Sequence, residues 1–240
     1  MLYRAIFVLV LLSVTPLSSM AGTYSRSATR LSLRCDENRT CRRVSVRSPD
    51  GTMQLRRDFA RGSESHLSTP EMTLLTPKGT WDLNIPFWVD VDVLWSPDSQ
   101  FIALSGNPNG YTNGIVVFRV SDSGPVEIDA AREPFEDMLR RFPPCRAKNA
   151  EADLCKQIPE HEDYLNFAAV DWSGDHTLVV MGEVPPDGQY GGILGQVMGY
   201  EVDIPSGRIE RTTTAREFKA RWQHSMPWRF HIPESPEWQQ

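Results

Sequence analysis

Short runs of apolar or alternating residues, each ending in turn residues, recur along this chain. Clear runs begin at Val93, Gly114 and Gly199, and each ends in a turn built from Ser, Pro, Asp or Gly. Runs rich in β-branched and aromatic residues, bounded by turn residues, predict β-strands joined by tight turns. The pattern therefore indicates a protein that is mostly β.

Two segments have a helical period instead. Between residues 129 and 142, four apolar residues recur at intervals of three and four: Phe135, Met138, Leu139 and Phe142. They form one face of a predicted helix, and Pro143 and Pro144 end it. Near the C-terminus, Thr214 and Glu217 have the spacing of a capping box, which predicts a second helix through Phe218 and Trp222.

One sequence motif, which we call the repeated phrase, occurs more than once. The segment Val93–Leu104 reads as strand, turn and strand around Trp95-Ser96-Pro97-Asp98, and Ala169–Val180 repeats this order around Trp172. A fainter copy, Val46–Leu55, keeps Ser-Pro-Asp-Gly but lacks the Trp. Pro fixes φ, Asp bonds its own backbone, and Gly or a small polar residue accepts the chain reversal. Three hairpins of similar design are expected.

This phrase resembles the Trp-Ser-Pro-Asp-Gly turn of TolB-type, WD40-like β-propeller blades, over about half of the chain. The resemblance implies four-stranded blades of about 40–45 residues, with at least four blades in a closed ring. The chain after the predicted signal peptide is long enough for about five blades. Only two complete copies of the phrase are present, at uneven spacing. We expect either propeller-like blades or an open stack of antiparallel hairpins, with a few peripheral helices.

The N-terminus has the order of a secretory signal peptide. Arg4 precedes an apolar run from Ala5 to Leu12, and small residues follow up to Ala21. A charged start, an apolar centre and small residues at the cleavage site predict export and removal of residues 1–21. The run is shorter than the roughly 20 residues that span a bilayer. The protein is therefore expected to be periplasmic or secreted, with no membrane span after cleavage.

Composition places the remaining chain among ordinary globular domains. The 240 residues are 40% hydrophobic and 23% charged, with a net charge of −6. Residues 22–240 are long enough for a single β-rich domain with its own core. The acidic balance argues against nucleic-acid binding, which requires a strong positive field.

The four cysteines fall into two local pairs, Cys35 with Cys41 and Cys145 with Cys155. In an oxidising compartment, two bridges that each close a short loop are the economical pairing, although four Cys allow three connectivities. A metal site is the alternative, but neither pair has Cys-x-x-Cys spacing. The second bridge would close a helical insertion at about residues 129–160.

Asp90, Asp92 and His176 are the best candidates for chemistry. Strand alternation places Asp90 and Asp92 on one face, where they would form half of a cation or acid–base site, or a solvated face with Arg partners. His176 follows Asp175 at the tip of a repeated turn. No nucleophile elbow, helical zinc motif or phosphate loop is present, so the sequence predicts no cofactor and no metal.

Two segments suggest a binding surface. Eight Arg stand against four acids in residues 34–62, Arg42 and Arg43 among them. These residues would meet an acidic partner or an anionic polymer, or they are charged strand edges that resist aggregation. The C-terminal segment combines Trp222, Trp228 and Arg229, residue types enriched at binding hot spots, although such rings also pack onto their own sheet.

These observations favour a non-enzymatic binding protein of the cell envelope that recognises another macromolecule, with a protein partner expected. One concrete form is a periplasmic inhibitor or immunity protein that blocks a toxin. The alternatives are an envelope hydrolase with dispersed carboxylate and His residues, and a structural scaffold component of an envelope complex. The sequence specifies neither the partner nor the oligomeric state.

Overall fold

A computed structural model describes residues 30–33, 44–58, 71–85, 90–107, 114–142, 165–184 and 195–225. The predicted signal peptide, all four cysteines and the C-terminal segment from residue 226 lie outside these ranges. Within the ranges, no helix is long and apolar enough to cross a bilayer.

The described chain forms short strands and two short helices. The strands are β1 (Arg30–Leu33), β2 (Val44–Arg47), β3 (Gln54–Asp58), β4 (Glu71–Thr76), β5 (Gly79–Leu83), β6 (Asp90–Trp95), β7 (Phe101–Asn107), β8 (Gly114–Ser121), β9 (Gly124–Ile128), β10 (Asn166–Trp172), β11 (Thr177–Glu183), β12 (Val197–Asp203) and β13 (Arg208–Thr214). The helices are α1 (Arg132–Arg141) and α2 (Ala215–Trp222), and a 3₁₀ turn (Gln223–Ser225) follows α2.

The strands form three antiparallel sheets, each built on a four-stranded meander, and β1 is added to the second sheet beside β6. The first sheet has the order β2-β3-β4-β5, the second β1-β6-β7-β8-β9, and the third β10-β11-β12-β13. In each sheet the repeated phrase is the connection between the first two strands of the four-stranded meander. The mostly β prediction is confirmed, and the faint copy at Val46–Leu55 begins a complete sheet.

The sheets are stacked with an apolar layer between each pair. Side chains such as Leu74 from the first sheet and Ile102 from the second form one layer. Phe101 from the second sheet and Val180 from the third belong to the next layer. On its other face the third sheet is covered by α2, whose Phe218 is fully buried. Each sheet therefore depends on its neighbour for burial of apolar area.

Both predicted helices are present and pack as their patterns indicate. In α1, Met138 is fully buried in the layer between the second and third sheets, and Phe135, Leu139 and Phe142 pack against that layer. In α2, Thr214 and Glu217 form a complete capping box. This box satisfies backbone donors at the start of α2 and fixes where the helix begins on the third sheet.

The environment of the residue before the turn serine explains why the first copy of the phrase lacks a Trp. Trp95 and Trp172 are fully buried, and each lies in the layer shared with the preceding sheet. Trp172 Nε1 also donates a hydrogen bond to the carbonyl of Leu94 in that sheet, at 3.4 Å. At the same position of the first sheet stands Arg47, which is exposed. The first sheet has no preceding sheet in the described chain, so a Trp there would have nothing to cover.

The outer face of the first sheet is largely polar over two cross-strand rows, in which Leu75 is the one apolar residue and Thr73 is buried. The rows are Ser45, Arg56, Thr73 and Asp82, and Arg47, Gln54, Leu75 and Thr80. Gln54 Nε2 donates to Ser45 Oγ at 2.8 Å across this face. A stack of sheets needs a polar face at its end, as terminal repeats of solenoids do. In the described ranges the molecule is an open stack, which ends at this face and at α2.

Asp137 attaches α1 to the third sheet. Its carboxylate accepts hydrogen bonds from Arg140 at 2.7 Å, Arg141 at 2.6 Å and the buried hydroxyl of Tyr200 at 3.1 Å. Burial raises the pKa of Asp137, but the hydrogen bonds from Arg140 and Arg141 outweigh it and hold the pKa below its ordinary value. The helix is therefore attached through a buried carboxylate whose charge is paired.

Trp95→Ala and Arg47→Ala change the same repeat position in two different environments. We expect Trp95→Ala to lower the free energy of unfolding by about 3–5 kcal/mol, because it leaves a cavity between two sheets. Arg47→Ala should change it by about 0.5 kcal/mol or less, since the side chain lies on an exposed face. Urea denaturation of both variants measures the difference, and equal losses would contradict the stacking order.

Asp137→Asn should change how stability depends on pH. The folded pKa of Asp137 is below its unfolded value, so its contribution is present above that value and disappears as the pH falls through the folded pKa. We expect the variant to lose about 2 kcal/mol at neutral pH and to show a flatter decline from about pH 5 to 2. Glu136→Gln, which removes an exposed partner of Arg132, should leave the pH profile unchanged.

Candidate functional site

Six tight turns lie at the same edge of the stack, because strands of a meander reverse at alternate ends. They are residues 48–53, 77–78, 96–100, 121–124, 173–176 and 204–207. We call this surface the turn edge. At the opposite edge β3, β7 and β11 end and β4, β8 and β12 begin, and residues 59–70, 108–113 and 185–194 between them lie outside the described ranges.

The first two copies of the phrase form the same turn. Ser48 Oγ donates to Asp50 Oδ1 at 2.5 Å, and Ser96 Oγ donates to Asp98 Oδ1 at 2.6 Å. Each serine also accepts from the backbone N–H five residues later, at 3.0 Å and 2.9 Å. The backbone N–H two residues after each aspartate donates to the same carboxylate oxygen. The two carboxylates are therefore held in fixed positions.

The fourth residue of each turn is left-handed. Gly51 has φ 73° and Ser99 has φ 65°. Glycine adopts this conformation without strain, whereas for serine it costs about 1 kcal/mol. Ser99 is buried, and its Oγ accepts a hydrogen bond from the backbone N–H of Asp50 at 3.1 Å. The serine thus links the turn of the second sheet to the turn of the first.

The third copy forms a different turn and contacts the second through His176. Ser173 N–H donates to the Thr177 carbonyl at 3.0 Å, and no described residue of this turn is left-handed. His176 Nε2 lies 3.4 Å from Asp98 Oδ2, and its ring packs edge-on against Phe101 at 5.4 Å. His176, a candidate for chemistry in the sequence, is placed as a contact between the second and third sheets.

A cleft of about 290 Å³ opens between the first and second sheets at the turn edge. Four turns line it, and their side chains are mostly carboxylates, hydroxyls, an amide and an ammonium: Asp50, Thr52, Met53, Thr76, Pro77, Lys78, Asp98, Ser99, Gln100, Val120, Ser121 and Asp122. Met53 and Val120 are half-buried and belong to the apolar layer below. The cleft is therefore polar at its walls and apolar at its base.

The turn edge is acidic. Asp50, Asp98, Asp122 and Asp175 lie in its turns, Lys78 is the one lysine or arginine within these six described turns, and Arg47 and Arg208 flank them. Burial raises the pKa of Asp50, but hydrogen bonds from Ser48, Thr52 and Ser99 outweigh it and hold the pKa below its ordinary value. Asp122 and Asp175 are exposed. This edge therefore carries a negative field on rigid hairpins.

Asp92 does not lie on a solvated face. It is only 7% exposed and lies opposite Ser105, on the face of the second sheet that contacts the third sheet through Ser105 Oγ and Ala169 N–H. Val91 and Val93 are buried on the other face of β6. Asp90 lies on the same strand, but its side chain is outside the described part. Across the described ranges, no group of three or more His, Cys, Asp or Glu is placed to hold a metal ion.

Trp222 belongs to the core. It is 1% exposed, its ring packs against Phe218 at 5.0 Å, and the Arg221 guanidinium lies 4.4 Å above it. It therefore stabilises the third sheet and has no surface for a partner. Trp228, Arg229, Arg42 and Arg43 lie outside the described residues.

The arginine-rich segment divides between the two faces of the first sheet. Arg47 and Arg56 lie on the outer face, and the neighbouring Arg57 is 1% exposed on the inner face. The segment therefore does not form a single basic surface in the described strands. Its other arginines, at positions 34, 39, 42, 43 and 61, are outside the described ranges.

The cleft was not predicted from the sequence. The turns that line it could be recognised, since Ser-Pro-Asp occurs twice and Thr76-Pro77-Lys78-Gly79 is a strong turn sequence. The sequence pattern alone does not show that the two sheets stack so that four turns meet. Comparisons with protein-family models, with curated proteins and with solved structures find no match.

Ser99→Ala and Ser99→Gly separate the bond between the two turns from the backbone strain. We expect Ser99→Ala to lower the free energy of unfolding by about 1 kcal/mol, because the part-buried bond from Asp50 N–H loses its acceptor while φ stays positive. Ser99→Gly loses the same bond but relieves the strain, so its loss should be smaller by about 1 kcal/mol. Thermal unfolding gives both values, and a glycine variant as unstable as the alanine variant would refute the strain argument.

Proposed function

We propose that this protein is an exported, non-enzymatic binding protein that recognises a protein partner through the turn edge. Export is supported by the signal-like order of residues 1–21. Recognition is supported by one observation above all. The turns that carry Asp50 and Asp98 are bonded internally and to one another, so this part of the edge loses little conformational freedom on docking.

The charge of the turn edge specifies the chemistry of the partner. Asp122 and Asp175 are exposed and contribute no hydrogen bond or ion pair to the described structure. They are therefore available to Lys or Arg side chains, whereas Asp50 and Asp98 are partly used by their own turns. A basic protein surface fits this edge. The negative field of the edge would accelerate association with such a partner and stabilise the complex.

An inhibitor or immunity protein of the periplasm is the concrete form that we favour. Such a protein needs export, stability and a rigid complementary surface. The apolar layers on both sides of the second sheet support the requirement of stability. The target would be an incoming basic toxin or a basic envelope enzyme.

Charge reversal at the turn edge tests the proposal. Asp122→Lys with Asp175→Lys should abolish retention of a basic partner from envelope extract at low salt, because it replaces two exposed carboxylates with ammonium groups. The wild-type protein should retain the same partner at low salt and release it as the ionic strength rises. Quantitative affinity capture with identification of the retained protein provides the measurement.

A matched control double variant changes the net charge of the protein by the same amount. Asp82→Lys with Glu127→Lys changes two exposed acids that lie away from the turn edge, on the outer face of the first sheet and on β9. This variant should retain the partner. Equal loss in both double variants, or retention in both, would show that binding does not use the turn edge.

A further inference from the structure

We propose that the cleft between the first and second sheets receives one arginine side chain of the basic partner. This inference rests on the proposed function, because the cleft is part of the turn edge. It adds the residue type that anchors the partner and the place where that residue binds. The volume of about 290 Å³ lies just below the range of pockets that hold whole small ligands, so the cleft suits a single side chain.

Carboxylates line the cleft from both sheets and outnumber its cations. Asp50 lies in a turn of the first sheet, Asp98 and Asp122 lie in turns of the second, and Lys78 is the one lysine or arginine among the lining residues. Burial raises the pKa of Asp50, but the hydrogen bonds that its carboxylate accepts outweigh it, so this group is charged at neutral pH. The cleft is therefore negative, and it favours a basic side chain over a neutral or acidic one.

The acceptors in the cleft favour arginine over lysine. The side chain of Asp122 is exposed and makes no hydrogen bond or ion pair in the described structure, so both of its oxygens are available to a bidentate pair. The exposed amide of Gln100 makes no side-chain hydrogen bond there either, and its oxygen is a further acceptor. A guanidinium has five donors in a planar fork, whereas an ammonium has three and is more strongly hydrated. Arginine therefore makes more hydrogen bonds in the cleft and costs less to remove from water.

The base of the cleft suits the stem of an arginine side chain. Met53 and Val120 line the cleft, are half-buried and pack against the apolar layer below it. Arginine buries its methylene groups along apolar surface while its charged end remains beside polar groups. A cleft with an apolar base and acidic walls matches both parts of this side chain. Arginine is also one of the residue types that dominate binding energy when they fill a pocket near the centre of an interface.

Single amino-acid derivatives test the cleft without the partner. The probes are the Nα-acetyl amides of arginine, lysine and norleucine, measured by saturation-transfer NMR with the full mature chain. We expect transfer to the arginine derivative at millimolar concentration, weaker transfer to the lysine derivative and none to the norleucine derivative. Asp122→Asn should raise the dissociation constant of the arginine derivative about tenfold, because a charge-assisted pair is lost. Glu127→Gln, which changes an exposed acid of β9 outside the cleft, should leave it unchanged.

Capture of the partner from envelope extract tests whether the complex uses the cleft. Gln100→Trp places a bulky ring at the cleft without changing the charge of the turn edge. Thr212→Trp places the same ring on an exposed position of β13, away from the turn edge. We expect Gln100→Trp to weaken retention of the partner about tenfold, since the anchoring side chain can no longer enter. Thr212→Trp should retain the partner as the wild type does.

The outcomes separate this inference from the proposed function. Unchanged retention by Gln100→Trp, or equal loss in both Trp variants, overturns the arginine pocket and leaves the turn edge to be judged by its own charge-reversal variants. Absence of transfer to the arginine derivative, or equal transfer to the arginine and lysine derivatives, overturns it as well. A wild-type protein that retains no partner overturns the proposed function, and this inference with it, even where the arginine derivative binds.

Discussion

Burial of one sheet by the next is the constraint on which the rest of the structure depends. A four-stranded meander has two faces, and a face with alternate apolar residues must be covered. Trp95 and Trp172 lie fully buried in the layers that their sheets share with the preceding ones. Arg47 takes the same position where no preceding sheet is described, and α2 covers the last face. The order and the ends of the stack follow from these residues.

The turn edge is a consequence of that stacking. Packed sheets are about 10 Å apart, so turns at the same end of neighbouring meanders come within reach of one another. Ser99 then bonds to the first turn, and His176 lies beside Asp98 from the third. The residues that join the sheets are thus the same residues that fix the acidic side chains and the cleft. This surface is rigid because the contacts that hold neighbouring sheets together also hold its turns.

Local elements could be predicted from the sequence, and relations between elements could not. The hairpin turns, the apolar face of α1 and the capping box of Thr214 depend on neighbours in the chain, so their patterns are sufficient. Asp92 was a candidate for chemistry, yet it is buried where the second sheet packs on the third. Trp222 was a candidate either for binding or for packing onto its own sheet, and it is buried between α2 and the third sheet. The cleft depends on which turns meet across two sheets. The first copy lacks the Trp because its sheet has no preceding sheet in the described chain. This explanation could be given only once the order of the sheets was known.

No further sheet of the described chain packs on the outer face of the first sheet, and thiol labelling tests this most directly. Ser45→Cys places a thiol on that face, and Ser105→Cys places one between the second and third sheets, where Ser105 Oγ accepts from Ala169 N–H at 2.8 Å. In the folded protein, the first variant should react with a maleimide as fast as in denaturant, and the second should be strongly protected. Equal protection of both thiols would mean that another layer covers the first sheet and would contradict the open stack.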